Sequence, residues 1–201
     1  RGSPPCYLFV SQKANGSSHI MRDSLFFLVK VLSHLYLLLF LLRLIMQWIR
    51  ADFYNPLAQF VVRATNPLVT PARRLIPSSA SLDLPTLVVL VVLQAIAIWM
   101  LTTIVSLSVD VLQLTQLTLF RLIYMTLTLY TWTILIYVIL SWISPGGYHP
   151  LAMILSDLNE PVLRPFRRII PAITGLDLSP LLALVLIQAI SLAVPLPGYL
   201  R

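Results

Sequence analysis

Four stretches of nearly uninterrupted apolar residues alternate along the chain with more polar segments. They occupy residues 25–49, 84–107, 119–143 and 178–197. A helix needs about 20 residues to cross a hydrocarbon core about 30 Å thick, and each stretch is long enough. The pattern therefore predicts an all-α integral membrane protein with about four transmembrane helices.

The two halves of the chain repeat each other without a gap. The matched positions pair Tyr36 with Tyr130, Trp48 with Trp142, Pro56 with Pro150, Asp83 with Asp177 and Gln94 with Gln188. Each copy holds two spans, an even number, so both copies have the same orientation in the membrane. We predict two tandem helical hairpins, related by an axis along the membrane normal.

The domain bounds follow from the spans and the repeat. The first repeat covers residues 21–107 with a linker at 50–83, and the second covers 119–201 with a linker at 144–177. A short turn at 108–118 joins them. Residues 1–20 lack a signal-peptide pattern, and we interpret them as a tail, an overextended start or a remnant of expression.

Each linker predicts an amphipathic helix at the headgroup boundary. Asn55-Pro56 is a favourable helix start, and the apolar residues that follow have the spacing of one helical face. These residues are Leu57, Phe60, Val61 and Ala64 in the first copy and Leu151, Ile154, Leu155 and Leu158 in the second. Polar residues such as Gln59 and Arg63 lie on the other side, which suits a helix lying in the interface.

A proline-bracketed arginine motif ends each linker: NPLVTPARRLIP at 66–77 and EPVLRPFRRIIP at 160–171. Its prolines are Pro67, Pro71 and Pro77 in the first copy and Pro161, Pro165 and Pro171 in the second. Because proline cannot donate a backbone hydrogen bond, we predict a separate helical piece that begins at the first proline, is kinked or broken at the second and stops by the third.

The charge distribution predicts which side the linkers face. The formal net charge is +7, with 14 lysines and arginines in all. Seven of these lie in the linkers: Arg50, Arg63, Arg73, Arg74, Arg164, Arg167 and Arg168. By the positive-inside rule the linkers are cytoplasmic, although the acidic residues in them and the basic N-terminal residues oppose this assignment. Bases beside membrane spans favour anionic lipid headgroups as the partner, rather than nucleic acid.

Two interpretations of the arginine pairs Arg73–Arg74 and Arg167–Arg168, with Arg164 nearby, stay open. The pairs could serve topology alone. Alternatively, the prolines fix a rigid turn that presents guanidinium groups to a phosphate, to a partner's carboxylate, or to the chain's own Asp83 and Asp177. Those aspartates precede the second span of each hairpin, where a carboxylate can also cap the helix.

Polar residues inside the predicted spans form a second set of candidates. Gln94 and Gln188 lie near mid-span, where we expect hydrogen bonds between helices, with a polar path for an ion or solute as the alternative. The threonines of the third span could line such a path, but their hydroxyls can bond to backbone carbonyls. Lys30, Arg43 and Arg121 lie near enough to helix ends to snorkel. Lys30 and His34 share one face, which indicates a structural or snorkelling role before a proton relay.

Metal, cofactor and soluble enzymatic chemistry find no support in the sequence. Three histidines far apart and one cysteine give no metal set. The nucleophile elbow, the phosphate-binding loop and the zinc-protease motif are absent from the sequence. We therefore expect a nonenzymatic protein without a cofactor.

The doubled proline-arginine motif, each copy followed by Leu-Asp-Leu, resembles the YggT family of small bacterial membrane proteins, whose plastid relatives are called YlmG. The stretch FYNPLAQFVV ahead of the first copy is similar to the gammaproteobacterial type. The resemblance covers about residues 21–194. It implies the bacterial inner membrane and links to osmotic-shock tolerance, to division or nucleoid organisation and, in plastids, to cytochrome b maturation. It supplies no catalytic residues.

Two hypotheses for function remain. The first is a scaffold or assembly factor that docks through its linkers on anionic lipid and on a membrane-protein partner or a second copy of itself. The second is a small oligomeric channel or transporter for ions or osmolytes. The first depends on the arginine pairs and the second on the glutamines.

Overall fold

The protein is all-helical throughout the part of the chain described by the structure, a computed structural model. That part comprises residues 7–51, 54–76, 83–143, 150–169 and 177–200, with side chains from residue 19 onward except those of 150 and 169. Its helices are α1 (Tyr7–Trp48), α2 (Pro56–Leu75), α3 (Leu84–Ile104), α4 (Val111–Ile143), α5 (Pro150–Ile169) and α6 (Ser179–Ala193), followed by a 3₁₀ turn, Gly198–Leu200. The predicted fold class is confirmed.

Three helices are long and apolar enough to span a membrane. They are the His19–Trp48 part of α1, α3 and α4. The fourth predicted span coincides with α6, which is apolar but only 15 residues long. At 1.5 Å per residue α6 is about 22 Å long, short of a hydrocarbon core about 30 Å thick.

Each repeat is a group of three mutually contacting helices, α1–α2–α3 in the first and α4–α5–α6 in the second. The groups join mainly where α3 packs on α4, with smaller contacts between α1 and α4 and between α2 and α5. Consequently α3 lies between α1 and α4, whereas α6 packs on α4 and α5 at the edge of the bundle. Equivalent positions in α3 and α6 therefore meet different surroundings.

The two linkers form single continuous helices, so the prediction of a separate piece beginning at the first motif proline is wrong. Pro67 and Pro71 lie inside α2, and Pro161 and Pro165 lie inside α5. All four prolines are exposed. Proline's fixed φ suits a helix, and the missing hydrogen bond weakens only the ladder on the exposed side. The opposite face of α2 is held against the bundle through the buried residues Ala58, Val61, Thr65 and Val69.

Left-handed residues end the first and third helices. Arg50 (φ 55°) follows α1 and Ser106 (φ 59°) follows α3. The next backbone N–H donates back across each turn, from Ala51 to the Met46 carbonyl and from Leu107 to the Thr102 carbonyl, both at 2.9 Å. This is the Schellman arrangement, which satisfies carbonyls that a helix end leaves unpaired.

The fourth helix starts inside the segment for which the sequence predicts a turn. Helix α4 begins at Val111, whereas the prediction places a turn at 108–118. The Asp110 side chain accepts a hydrogen bond from the Val111 N–H at 2.7 Å. A carboxylate at this position stabilises the helix start, which explains why the helix begins several residues before the apolar run.

Candidate functional site

The first linker ends at a buried polar cluster around Asp83, which we call the Asp83 cluster: Arg43, Thr65, Asn66, Arg73, Asp83 and Thr86. Oδ2 of Asp83 accepts hydrogen bonds from Arg73 Nη2 at 2.8 Å and from Thr86 Oγ1 at 2.6 Å. The Asp83 side chain is fully buried, whereas that of Arg73 is 45% exposed. Asp83 was predicted to cap α3, but its side chain makes no capping bond because it bonds to Arg73 and Thr86 instead.

Arg43 joins this cluster from the first span. Its Nη1 donates to Thr65 Oγ1 at 2.6 Å and to Asn66 Oδ1 at 3.0 Å, and its Nε lies 3.9 Å from Asp83 Oδ2. Arg43 therefore contributes from α1, Thr65 and Asn66 from α2, and Asp83 from the start of α3. The cluster ties together all three helices of the first repeat.

The surroundings of Asp83 favour its ionised form. Burial alone would raise the pKa of the Asp83 carboxyl, but the hydrogen bonds from Thr86 and Arg73 and the charges of Arg73 and Arg43 outweigh it and leave the pKa below its ordinary value. Asp83 is thus a buried anion held between two cations. Its other oxygen, Oδ1, has no hydrogen-bond partner among the described residues.

The second linker has an equivalent but exposed cluster, the Asp177 cluster: Glu160, Arg167, Asp177 and Ser179. Arg167 donates from Nε to Asp177 Oδ2 at 3.0 Å and from Nη1 to Glu160 Oε2 at 2.6 Å. Asp177 Oδ1 also accepts from the Ser179 N–H at 2.9 Å, so this aspartate does cap the start of α6. The side chains of Arg167, Asp177 and Glu160 are 36%, 38% and 50% exposed.

The charges of the Asp177 cluster stabilise each other despite this exposure. Burial would lower the pKa of Arg167, but Asp177 and Glu160 raise it above its ordinary value. Burial would raise the pKa of Asp177, but the hydrogen bonds from Ser179 and Arg167 and the charge of Arg167 lower it. Tyr137 of α4 stands where the first repeat has Arg43, and no second buried cation among the described residues joins this cluster.

The second arginine of each motif has no partner among the described residues in either copy. Arg74 and Arg168 are exposed, and neither makes a hydrogen bond or ion pair within the described part of the chain. Arg164 is likewise exposed and unpaired there. Pro77 and Pro171, the last prolines of the two motifs, lie outside the described residues.

Comparison with known proteins identifies the family of this chain. The CCB3/YggT profile matches residues 23–104 and 116–196, one match for each repeat. The chain belongs to the CCB3/YggT family. It is 37% identical over 172 residues to the uncharacterised protein YggT of Escherichia coli K12, covering 86% of this chain and 89% of that protein.

Two further relatives share most of their length with this YggT-family protein. An uncharacterised protein of Pseudomonas aeruginosa is 38% identical over 176 residues, which is 87% of this chain and 89% of the relative. An uncharacterised protein from the proC 3′ region of Vibrio alginolyticus is 42% identical over 171 residues, 83% and 90% of the two chains. No solved structure matches the chain.

The two mid-span glutamines of this YggT-family protein are not equivalent in space. Gln94 is fully buried, and neither Oε1 nor Nε2 has a hydrogen-bond partner among the described residues. Gln188 is exposed, and its Oε1 accepts from Ser191 of the same helix at 3.3 Å. Neither glutamine bonds to another helix in the described structure, so that prediction is wrong. The difference follows from the central position of α3 and the edge position of α6.

The threonines of α4 behave as the sequence predicts. Thr126, Thr128 and Thr131 each donate to the carbonyl four residues earlier at 2.8–2.9 Å. Thr133 bonds to the Tyr130 carbonyl at 3.1 Å and to Oδ1 of Asn159 at 2.8 Å, which links α4 to α5. These hydroxyls are thus satisfied without a solvent path.

The expectation that Arg43 and Arg121 snorkel is wrong. They are 4% and 1% exposed, so both are buried among protein side chains rather than extended to the membrane surface. Sequence reasoning also missed Thr65, Asn66 and Thr86 as partners. One signal was available for Arg43: position 43 holds a charge while its repeat equivalent, Tyr137, does not, and such a break in symmetry marks a side chain with its own local partner.

The described part of the chain contains no candidate metal site. Nowhere in it do three or more histidine, cysteine, aspartate or glutamate side chains come close enough together to hold an ion. The arrangement instead offers two arginine-aspartate contacts at equivalent positions, each beside an exposed arginine. These groups can fix a linker helix against its bundle and present positive charge outward.

Proposed function

We propose that this YggT-family protein is a nonenzymatic scaffold or assembly factor of the bacterial plasma membrane, which docks through α2 and α5 on anionic lipid headgroups and on a partner protein. The observation that carries the proposal is that the two arginines of each pair have different surroundings. Arg73 and Arg167 bond to aspartates of their own repeats. Arg74 and Arg168 remain exposed in both copies.

This difference favours docking over topology alone. A topological role needs positive charge near a span but gives no reason to anchor one arginine and leave its neighbour exposed at the same place in each repeat. An anchored arginine limits the movement of the helix end that carries it, so its exposed neighbour is presented in a restricted position. A guanidinium held in this way can bind phosphate or carboxylate oxygens through two parallel hydrogen bonds.

Exposed apolar side chains support a position of α2 and α5 in the headgroup region. Phe60, Leu75 and Met153 are 61%, 86% and 55% exposed, and the exposed Arg63 and Arg74 lie on the same helix as the first two. A helix that combines such groups gains from apolar contact with lipid and from attraction to anionic headgroups. The positive-inside rule favours the cytoplasmic leaflet for both linkers.

A cleft beside α5 supports the protein-partner part of the proposal. It has a volume of about 540 Å³ and lies between the end of α1 and α5. Its walls carry two arginines, two acids and the exposed Trp48: the charged residues are Arg50, Asp157, Glu160 and Arg164. Mixed charges around an exposed aromatic ring suit a polypeptide with charges of both signs better than they suit a lipid surface alone.

The test is complementation of a strain lacking its own YggT under osmotic upshift, the condition that the family resemblance suggests. The double variant Arg74→Gln/Arg168→Gln should grow more slowly than wild type at equal membrane level, because it removes the presented charges without breaking either aspartate contact. The matched variant Arg74→Lys/Arg168→Lys keeps the charge but loses the planar fork. It should restore growth fully if attraction between positive charge and anionic lipid is enough. It should restore growth only partly if the function needs a bidentate hydrogen bond from the guanidinium group.

A channel or transporter predicts a different pattern. If Gln94→Leu abolishes complementation while the Arg74→Gln/Arg168→Gln protein grows normally, the docking proposal is wrong and ion or osmolyte flux becomes the function to measure. Normal growth of both variants would also contradict docking through these arginines.

A further inference from the structure

A separate cavity lies between α1 and α4, well away from both aspartate clusters. Its volume is about 240 Å³, and its walls are mostly apolar. Its lining includes Lys30, Val31, His34, Leu35, Arg121 and Leu200. Lys30 precedes Arg43 by 13 residues, about 20 Å along the helix, so this cavity and the Asp83 cluster lie at different depths.

The cavity sits where the two repeats face each other. Its lining includes three pairs of positions related by the repeat: Lys30 with Tyr124, Val31 with Met125 and His34 with Thr128. Equivalent positions on α1 and α4 therefore approach one another across this space. Lys30 and His34 of α1 correspond to the uncharged Tyr124 and Thr128 of α4, and Arg121 of α4 corresponds to the uncharged Phe27 of α1. The basic character is therefore specific to this site and is not part of the repeated pattern.

Three basic groups line the cavity, and none has an acidic partner in the part of the chain that the structure describes. Arg121 is 1% exposed, and its Nη1 has no hydrogen-bond partner there. Neither the Lys30 ammonium nor the His34 ring makes a hydrogen bond or ion pair with the described residues. Among the described lining residues there is no aspartate or glutamate. A buried guanidinium in apolar surroundings is costly unless an anion compensates it, and the described residues supply none.

We propose that this cavity binds an oxyanion, a phosphate or carboxylate group, with Arg121 and Lys30 as its principal ligands and His34 as a further donor. An anion would pair with the unpartnered Arg121 nitrogen, and the mostly apolar walls would accept an attached hydrocarbon portion. The chemistry is shared by a lipid headgroup and by a free phosphate or carboxylate in solution.

Depth in the membrane favours the lipid as source. Counted along their helices, Lys30 lies 18 residues from Trp48, and Arg121 lies 21 residues from Trp142. At 1.5 Å per residue these are about 27 Å and about 32 Å from the interfacial tryptophans, close to the thickness of a hydrocarbon core. The cavity thus lies near the headgroups of the leaflet opposite the linkers. Val31 and Leu35 on its rim are 37% and 57% exposed, which leaves a lateral opening for a lipid.

The test uses the purified full-length chain in neutral detergent micelles with three probes: dioleoyl phosphatidylglycerol, dioleoyl phosphatidylcholine and inorganic phosphate. Native mass spectrometry counts retained lipid, and thermal unfolding reports stabilisation by each probe. We expect one phosphatidylglycerol retained per chain, a raised unfolding midpoint and a much smaller effect of phosphatidylcholine. In Arg121→Gln/Lys30→Gln the affinity for phosphatidylglycerol should fall at least about tenfold.

Two controls separate binding in the cavity from a general effect of charge and from misfolding. The control variant Arg22→Gln removes an exposed positive charge from the same helix as Lys30, outside the cavity, and should keep the bound lipid. Val31→Trp leaves all three basic groups in place and narrows the opening, so it should weaken phosphatidylglycerol binding even if the charge variant fails to fold.

The three probes distinguish a lipid headgroup from a free oxyanion as the ligand. Stabilisation by phosphatidylglycerol alone identifies a lipid headgroup, and stabilisation by inorganic phosphate identifies a free oxyanion; either supports the site provided that the cavity variants remove it. The proposal is overturned if neither probe stabilises the protein, if the cavity variants bind as well as wild type, or if Arg22→Gln loses as much binding as Arg121→Gln/Lys30→Gln.

Discussion

The first arginine of each repeated pair bonds to an aspartate at the start of the following helix, but the two contacts lie in different surroundings. In the first repeat the Asp83 side chain is fully buried, with Arg43 of α1 as a second cation. In the second repeat Asp177 is 38% exposed and bonds to Arg167, which is shared with Glu160. The same motif thus gives one buried ion cluster and one exposed ion cluster.

The cause of this difference lies in the spans rather than in the linkers. The linker motifs match closely, but α1 supplies Arg43 where α4 supplies Tyr137. Burial of an ion pair costs desolvation that only close partners can offset, whereas an exposed pair is solvated and contributes little to stability. The first cluster should therefore fix α2 firmly in place, while the second should be broken at much smaller cost.

The largest expected effect comes from removing each aspartate charge in turn. Asp83→Asn leaves Arg43 and Arg73 without a buried counterion and should lower the free energy of unfolding by about 3 kcal/mol. Asp177→Asn keeps an oxygen for the Ser179 N–H and should cost less than about 1 kcal/mol. Unfolding in mixed detergent micelles measures both.

A double variant tests whether the loss at position 83 arises from uncompensated charge. Arg43→Met/Asp83→Asn removes one of the two cations as well and should recover part of the stability lost in Asp83→Asn. Equal losses in the two Asn single variants would refute the contrast between a buried and an exposed cluster.

Acid should also lower the stability of the protein by neutralising the two aspartates, reversibly and by less than the Asn substitutions do. The pKa values of Asp83 and Asp177 are lowered in the folded protein. Their stabilisation is therefore fully present above the unfolded pKa of about 3.9 and is lost as pH falls through the lower folded values. The unfolding midpoint of wild type should fall as the pH drops below about 4, and that of Asp83→Asn/Asp177→Asn should fall less. A parallel fall in both proteins would assign acid sensitivity to other carboxylates.

The two mid-span glutamines offer a second contrast between the repeats, with an expected effect on stability of intermediate size. The buried, unpaired amide of Gln94 should make Gln94→Met stabilising by about 1–2 kcal/mol, because the variant removes two unsatisfied polar atoms at similar volume. Gln188→Met, at an exposed position, should change the free energy of unfolding by less than about 0.5 kcal/mol. Loss of stability in Gln94→Met would reveal a hydrogen-bonded partner for Gln94 and would strengthen the case for a polar path.

The sequence was sufficient to predict the helical class and the repeat. It also offered a contact between the arginine pairs and Asp83 or Asp177, but only as one of several alternatives. It was insufficient for Arg43, since a charge near a helix end predicts snorkelling unless its partners are known, and Asp83 lies 40 positions further along the chain. The continuity of α2 through Pro67 and Pro71 likewise depends on packing of its other face. Gln94 and Gln188 differ only because one helix is central and the other peripheral, which no local pattern contains.

The smallest effect concerns the ends of α3 and α6, two helices that are equivalent in the repeat but end at positions that are not equivalent. Ser106 follows α3 with φ 59°, whereas Val194 ends α6 with φ −67° and extended backbone. Glycine tolerates the left-handed region that costs an L-residue about 1–2 kcal/mol, although it loses more backbone entropy on folding. Ser106→Gly should therefore stabilise by about 0.5–1 kcal/mol. Val105→Gly, at φ −85° in the same turn, should destabilise, so that a gain in both variants would point to general loosening rather than relief of strain at Ser106.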